Sequence, residues 1–496
     1  MCYYISRASA FVSRTLLGNL RLNDKHRKDC IMKYTLKNVF GDKAFNKLVL
    51  AIALPIVIQN GITNFVNLLD NIMIGQVGIE EMNGVSIVNQ LMFVFNLCIF
   101  GAVSGAGIFT AQYYGRGDAD NMRYTVRYKL YSAVFAVIFF AGILLIFHRP
   151  LIDLYITPDE SGTDPVATAE RAKEYLFIAI YQLPFFAVSQ VYAGTLRESN
   201  ETKVPMYASL ASFLCNFAGN SLLIFGLLGL PALGVKGAAI ATVLARAVEA
   251  TILVVYAHKN TDKHPAFKGL YSSFKVPSSL AKNITKKGMP ILINETLWAI
   301  GVALLTQCYS LRGLPVLNAY SIASTITNLF AVVLLALGNA VAIILGNYLG
   351  AGKTEEAVVA NVRLVSISVA SSIIIGAILA SLSGVFPQFY NTTDEIKSLA
   401  SSFIFIFALY MPVNSYINCT YFTLRSGGKT IITFLFDSVF ECCLAVPVAY
   451  LLVTLTELSA PVIYAIVLGL WFVKVIAGVI LIGKRIWLND LTSLDS

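Results

Sequence analysis

The sequence predicts an all-α polytopic membrane protein of twelve transmembrane helices, arranged as two pseudo-symmetric six-helix lobes. Three observations carry that prediction. Of the 496 residues, 57% are hydrophobic and only 13% charged, with a mean hydropathy of +0.70. Soluble cores of this length could not hide so much apolar surface. Apolar runs of about 20 residues, enough to cross about 30 Å of hydrocarbon as helix, recur along the whole chain. Finally, the chain matches itself at an offset of 235 residues.

The spans are expected, in order, at 47–75, 88–113, 130–147, 174–195, 205–228, 234–257, 289–311, 319–349, 364–386, 398–422, 431–453 and 461–483. None has the period-two alternation of a membrane barrel. Sorting Lys and Arg by alternate loops supports the count: 29 of 37 fall on one side and six on the other, with Arg246 and Lys474 inside spans. That asymmetry predicts a cytoplasmic location for the basic side and both termini, and the chain is expected in the plasma (inner) membrane. The net charge of +9 then reflects topology, and no nucleic-acid partner is expected. The expected organisation is a basic tail at 1–44, an N-lobe at 45–257, a basic cytoplasmic linker at 258–288, a C-lobe at 289–485 and a cytoplasmic tail at 486–496. Residues 1–22 carry Arg7, Arg14 and Arg21 without an acid and faintly resemble a transit peptide. A basic tail, or a start at Met32, is the preferred reading of residues 1–31.

The internal repeat justifies the two lobes. "ALPIVIQN" aligns with "GMPILINE", pairing Pro55 with Pro290, and Gly115 with Gly350 keeps the same offset. "GTLRESNETK" and "FTLRSGGKT" then align through Arg197 and Arg425, offset 228. Six spans per half put both halves in the membrane in the same orientation, as in many secondary transporters.

Enzymatic chemistry has no visible basis. His26, His148, His258 and His264 lie in loops or at span ends with no partner for a metal site or nucleophilic triad. No GxxxxGK[ST] stretch appears, so ATP is not the expected driver. The eight cysteines lack metal-type or redox CxxC spacing and are expected to pack as small apolar residues. No cofactor is expected.

Ionisable residues inside spans remain. In "NFVNLLDNIMIG", Asp70 stands 15 residues after Pro55 in the first span. A carboxylate at bilayer depth costs roughly 3 kcal/mol, which must be offset or used, by ionising, by binding Na⁺ or by taking a proton. Pro55 and Pro290 remove a mid-helix hydrogen bond and let their helices bend. Asn216 and Asn220, at i and i+4, either share a polar pocket with Asp70 or bond helices together. In the second half, Glu295 follows Pro290 by five residues, where the first half has Asn60. Asp437 and Glu441 stack at i and i+4 in span eleven, and Glu441 matches Lys474 of span twelve in depth, as a structural pair would. Arg246 and Glu249 are expected to form a local pair.

These stretches, together with "GAGIFTAQYYGRGD", "NFAGNSLLIFGLLGLPALGVKGAAIATVLAR" and "NYLGAGKTEEA", resemble the multidrug and toxic compound extrusion (MATE) transporters over essentially all of 45–490. The resemblance implies a V-shaped pair of six-helix lobes that exports organic, often cationic, small molecules in exchange for H⁺ or Na⁺. It places Asp70 on the family's first-span acid, Pro55 on its kinking proline and Asn216 on a polar partner. Asn220 stands where some members carry a second aspartate. Glu295 matches a seventh-span glutamate implicated in cation binding, but Asn414 occupies the position of the tenth-span acid, leaving that site incomplete unless Asp437 and Glu441 compensate. The only metal ion expected is Na⁺ at Asp70 or Glu295. The reading is thus a monomeric antiporter in the lipid bilayer, with a flippase for a lipid-linked precursor as the alternative. A flippase should line its cleft with cations to meet pyrophosphate.

Overall fold

The computed structural model describes residues 39–156 and 164–495, and among them it forms helices and no strand. The readings made for residues 1–31, including Cys2, Cys30 and His26, lie outside the described residues. Twelve spanning helices follow the predicted order: α1 (Lys43–Gly75), α2 (Ile79–Arg116), α3 (Ala119–Ile146), α4 (Pro165–Glu198), α5 (Lys203–Phe225), α6 (Val235–Lys259), α7 (Ser278–Ser310), α8 (Leu314–Gly350), α9 (Thr354–Leu382), α10 (Asp394–Ser426), α11 (Thr430–Leu455) and α12 (Ala460–Gly483). Eleven are each long and apolar enough to cross a bilayer, and the bent α4 makes the twelfth.

Two local irregularities have sequence causes. Helix α4 breaks by 51° between Ala179 and Gln182. Pro184 lies just beyond, and its ring clashes with the carbonyl of Ile180 four residues earlier. Helix α11 winds in wide i to i+5 turns over Leu435–Val439 and Glu441–Ala445. Pro447 follows directly and cannot donate to the normal ladder, so the wide turns redistribute the bonds around Asp437 and Glu441. Pro55 and Pro290, by contrast, lie inside the unbroken helices α1 and α7.

Each lobe has its own core, but α1 and α7 are shared between the lobes. The first half of α1 buries Phe45, Val49, Ile52 and Ile56 against Leu337, Val341, Ile344 and Leu345 of α8, in the second lobe. Reciprocally, Leu280, Ile284 and Ile291 of α7 pack into the core of the first lobe. Their i, i+4, i+11 spacing is one helical stripe, which explains why residues 278–288 of the expected linker are helical. The C-terminal segment is docked as well. Trp487 and Leu491 are buried, and Gln112 of α2 accepts from the Leu491 N–H at 2.7 Å while donating to the Ser426 carbonyl at 2.9 Å.

The lobes therefore meet at the end that carries the C-terminus. Helices α2 and α8 cross there through Gly115 and Gly350, the repeat-equivalent pair. A Cβ on Gly350 would sit 1.8 Å from the Gln112 carbonyl oxygen, and one on Gly115 would sit 2.0 Å from that of Asn347. Backbone contact this close admits only glycine. Gly350→Ala is accordingly expected to force the lobes apart at this end. Spin labels at the exposed Lys203 and Lys353, in a cysteine-free background, should report a lengthened distance; an unchanged distance would show that the crossing tolerates a methyl group.

Candidate functional site

Helices α1, α2, α5 and α6, with α4, line a polar cavity of about 340 Å³ inside the first lobe. Asp70 reaches it from the C-terminal part of α1. Asn220 donates to Asp70 Oδ1 at 2.5 Å and to Asn216 Oδ1 at 3.2 Å, and Asn216 donates to Thr242 Oγ1 at 3.3 Å. The i, i+4 spacing of the two asparagines puts both amides on the cavity face of α5. Among the described residues Asp70 has no cation within 4 Å, and the buried Asn220 Oδ1 has no donor. The site is thus a carboxylate solvated by amides, with an acceptor left over. Arg246 and Glu249 line the same cavity and pair at 2.9 Å.

A hydrogen-bonded chain leads from this cavity toward the other lobe. Ser209 donates to Glu249 at 2.8 Å, Gln59 donates to Ser209 at 3.0 Å, and Arg197 donates to Gln59 Oε1 at 3.0 Å. Arg197 in turn lines a second cavity, of about 90 Å³, between the lobes, and Arg425 lines it too. Behind it, the fully buried Lys129 is ion-paired with Glu198.

The second lobe holds a charged cluster. Lys474 lies 3.0 Å from Asp437 and 3.9 Å from Glu441, so Asp437 is its nearer partner and Glu441 the more distant one. The Lys474 ammonium also sits over the rings of Phe440 (4.9 Å) and Phe436 (5.9 Å). Asn294 ties the cluster together by donating to Asp437 and to the Tyr421 hydroxyl, and Tyr421 donates to Glu295, each at 3.3 Å. Asn414 stands apart, accepting from Asn418 one turn along its own helix at 2.8 Å.

The structure thus brings Asp70, Asn216 and Asn220 into one site and Glu295, Asp437, Glu441 and Lys474 into another. Sequence reasoning placed Arg197, Arg425 and Lys129 among loop charges, whereas all three reach into the protein. Gln59 and Asn294 were also missed. They are repeat-equivalent, at the same offset of 235, and each bridges buried polar groups in its own lobe. That equivalence, beside "IQN" and "INE", was the available signal.

A helical bundle in two lobes, sharing two helices and carrying a polar cavity within one lobe and a second between them, has the architecture of a membrane transporter. The MatE family model matches residues 55–222 and 290–451, one stretch in each lobe. The chain belongs to the MATE family of multidrug efflux transporters. It is 26% identical over 432 residues to "Probable multidrug resistance protein NorM" of Thermotoga maritima, covering 86% of this chain and 88% of that protein. It is likewise 26% identical over 374 residues to the multidrug resistance protein MdtK of Yersinia pseudotuberculosis, covering 73% and 77%. Among solved structures, a MATE in a bent conformation superposes with a TM-score of 0.79 at 18% identity, over 92% of this chain and 97% of that one. A MOP superfamily transporter from Pyrococcus furiosus, described as having a binding pocket of reverse polarity, superposes at 0.77 with 18% identity over 92% and 98%.

Proposed function

We propose that the protein is a monomeric antiporter of the plasma membrane, with both termini cytoplasmic, that exports amphipathic organic compounds, cationic ones among them, in exchange for H⁺ or Na⁺. The observation that carries this reading is Asp70, a carboxylate with no cation in ion-pair contact among the described residues, beside the unpartnered Oδ1 of Asn220. A proton on Asp70, or a Na⁺ beside it, would supply the positive charge that both oxygens lack. With cytoplasmic termini, the lobes are closed toward the cytoplasm, and the ion would enter Asp70 from outside.

Helix α1 supports coupling because it belongs to both lobes. Its first half sits in the second lobe's core, and its second half carries Asp70 and Gln59 in the first. A change of charge at Asp70 can therefore bias how the lobes meet, provided the ion binds one state better than the other. Neutralising a carboxylate at this depth is worth up to ~3 kcal/mol. Swinging a two-state equilibrium from 1:99 to 99:1 takes about 5.5 kcal/mol. Neutralisation alone can therefore bias the lobes by at most about half of such a swing.

The test is ethidium efflux from energised vesicles under an imposed Na⁺ or H⁺ gradient. Efflux driven by one gradient names the ion. Absence of efflux under both would turn the reading to a flippase for a lipid-linked precursor.

A further inference from the structure

We propose that Arg425 and Arg197 form an anion-binding subsite at the closed end of the cleft, which takes the carboxylate or similar acidic group of an aromatic cargo. Arg425 is 94% buried, being 6% exposed. Among the described residues its Nη1 has no hydrogen-bond acceptor and no carboxylate lies within 4 Å, Glu295 acting on it only from farther off. Its guanidinium rests between the rings of Phe100 and Phe422, each 5.6 Å away. Ring contacts of this kind give about 0.5–2 kcal/mol each, whereas an uncompensated buried charge costs several. The remaining deficit calls for an anion.

Other buried cations show what is missing. Lys129 has Glu198, and Lys474 has Asp437 and Glu441. Arg127 donates to the carbonyls of Leu270, Gly269 and Lys275. Arg425 instead points at the interlobe cavity, where Arg197, Gln190 and Asn339 add further donors. Glu198 is the one acid in that lining, and Lys129 already neutralises it. The cavity therefore keeps a net positive charge. Its volume of about 90 Å³ accepts several waters, or one acidic group, at roughly 15 Å³ per water.

The two arginines hold equivalent places in the two repeats, so each lobe contributes one. The subsite is complete only while the lobes are closed at this end, and it opens toward the face with the termini when they part. An acid-bearing cargo would meet the arginine of one lobe on entry and both once the lobes close at this end. This inference rests on the exporter reading and refines its cargo class to aromatic compounds that carry an acid.

The test compares rhodamine B, which carries a free carboxylate, with its ethyl ester. Binding is measured by fluorescence anisotropy on the purified full-length protein, and efflux in vesicles. The acid is expected to bind at least about tenfold more tightly than the ester, a difference of ~1.4 kcal/mol. Arg425→Gln should bring that ratio toward one, while Arg425→Lys keeps part of it. If the glutamine variant does not fold, Arg197→Gln and the wild-type ratio carry the same test. Equal wild-type affinity for acid and ester, with no effect of inorganic phosphate, would overturn the subsite. So would an acid preference that survives Arg425→Gln in monodisperse protein. If both dyes bind alike and inorganic phosphate enhances their binding, the anion is a free ion and the cargo reading falls. Acid-selective binding without gradient-driven efflux of either dye would overturn the exporter and leave the subsite. Gradient-driven ester efflux with equal affinities would do the reverse.

Discussion

Asp70→Asn is expected to reduce gradient-driven efflux to the level of protein-free vesicles while the protein still inserts, folds and binds cargo. The reason lies in what the substitution keeps. An amide oxygen can still accept from Asn220, so the bond that now reaches Asp70 Oδ1 has a successor of the same shape. Losing the charge removes a desolvation cost of roughly 3 kcal/mol at bilayer depth, so thermal stability should equal or exceed that of the wild type. What disappears is the ability to exist in two charge states, and with it the differential affinity that lets an ion shift the lobes. Efflux in vesicles, melting of the purified protein and dye binding separate these effects. Wild-type efflux by the variant would remove Asp70 from the coupling step. A collapse of melting temperature together with efflux would make it a structural residue instead.

Much of this architecture was legible because a bilayer simplifies the code. Backbone groups in hydrocarbon must be satisfied within each helix, so apolar run length and loop charge suffice to order twelve spans. The repeat was legible for a different reason. Gly115 and Gly350 are fixed by backbone contact at the lobe crossing, and a Cβ at either would strike a carbonyl oxygen. Asp70, Asn216 and Asn220 could be grouped because an acid and two amides at helical spacing have few uses in lipid.

The rest depended on contacts between helices far apart in sequence, which spacing does not encode. Arg425 and Arg197 looked like loop cations because they stand at helix ends. Only the packing of α2 against α8 encloses them. Gln59 carries no charge, so nothing marked it, yet it links Ser209 to Arg197 across the first lobe. Asn294 plays the corresponding part in the second lobe, where it bonds Ser438 and Asp437. Depth counting paired Lys474 with Glu441. Asp437, one turn away on the same face of α11, lies closer to Lys474.

That last cluster gives the second large effect. Lys474→Met should destabilise the protein by about 3–5 kcal/mol, because it leaves Asp437 and Glu441 facing the interior without a counter-charge. Restoring neutrality should recover most of the loss: the triple variant Asp437→Asn, Glu441→Gln, Lys474→Met is expected to be far more stable than Lys474→Met alone. Neutralising Lys474 and Asp437 together should fall between them, since Glu441 at 3.9 Å is the weaker partner. Such non-additivity is what a shared charge network requires. The measurement is the fraction of monodisperse protein remaining after heating in detergent, across the full cycle of variants. Additive losses would show that the three side chains contribute separately and that the contacts of Lys474 with Phe436 and Phe440 dominate its role. Efflux by the triple variant then decides function. A stable protein that still exports would make the cluster structural. A stable protein that binds dye but no longer exports would make it a second ion-responsive site, linked through Asn294 and Tyr421 to Glu295.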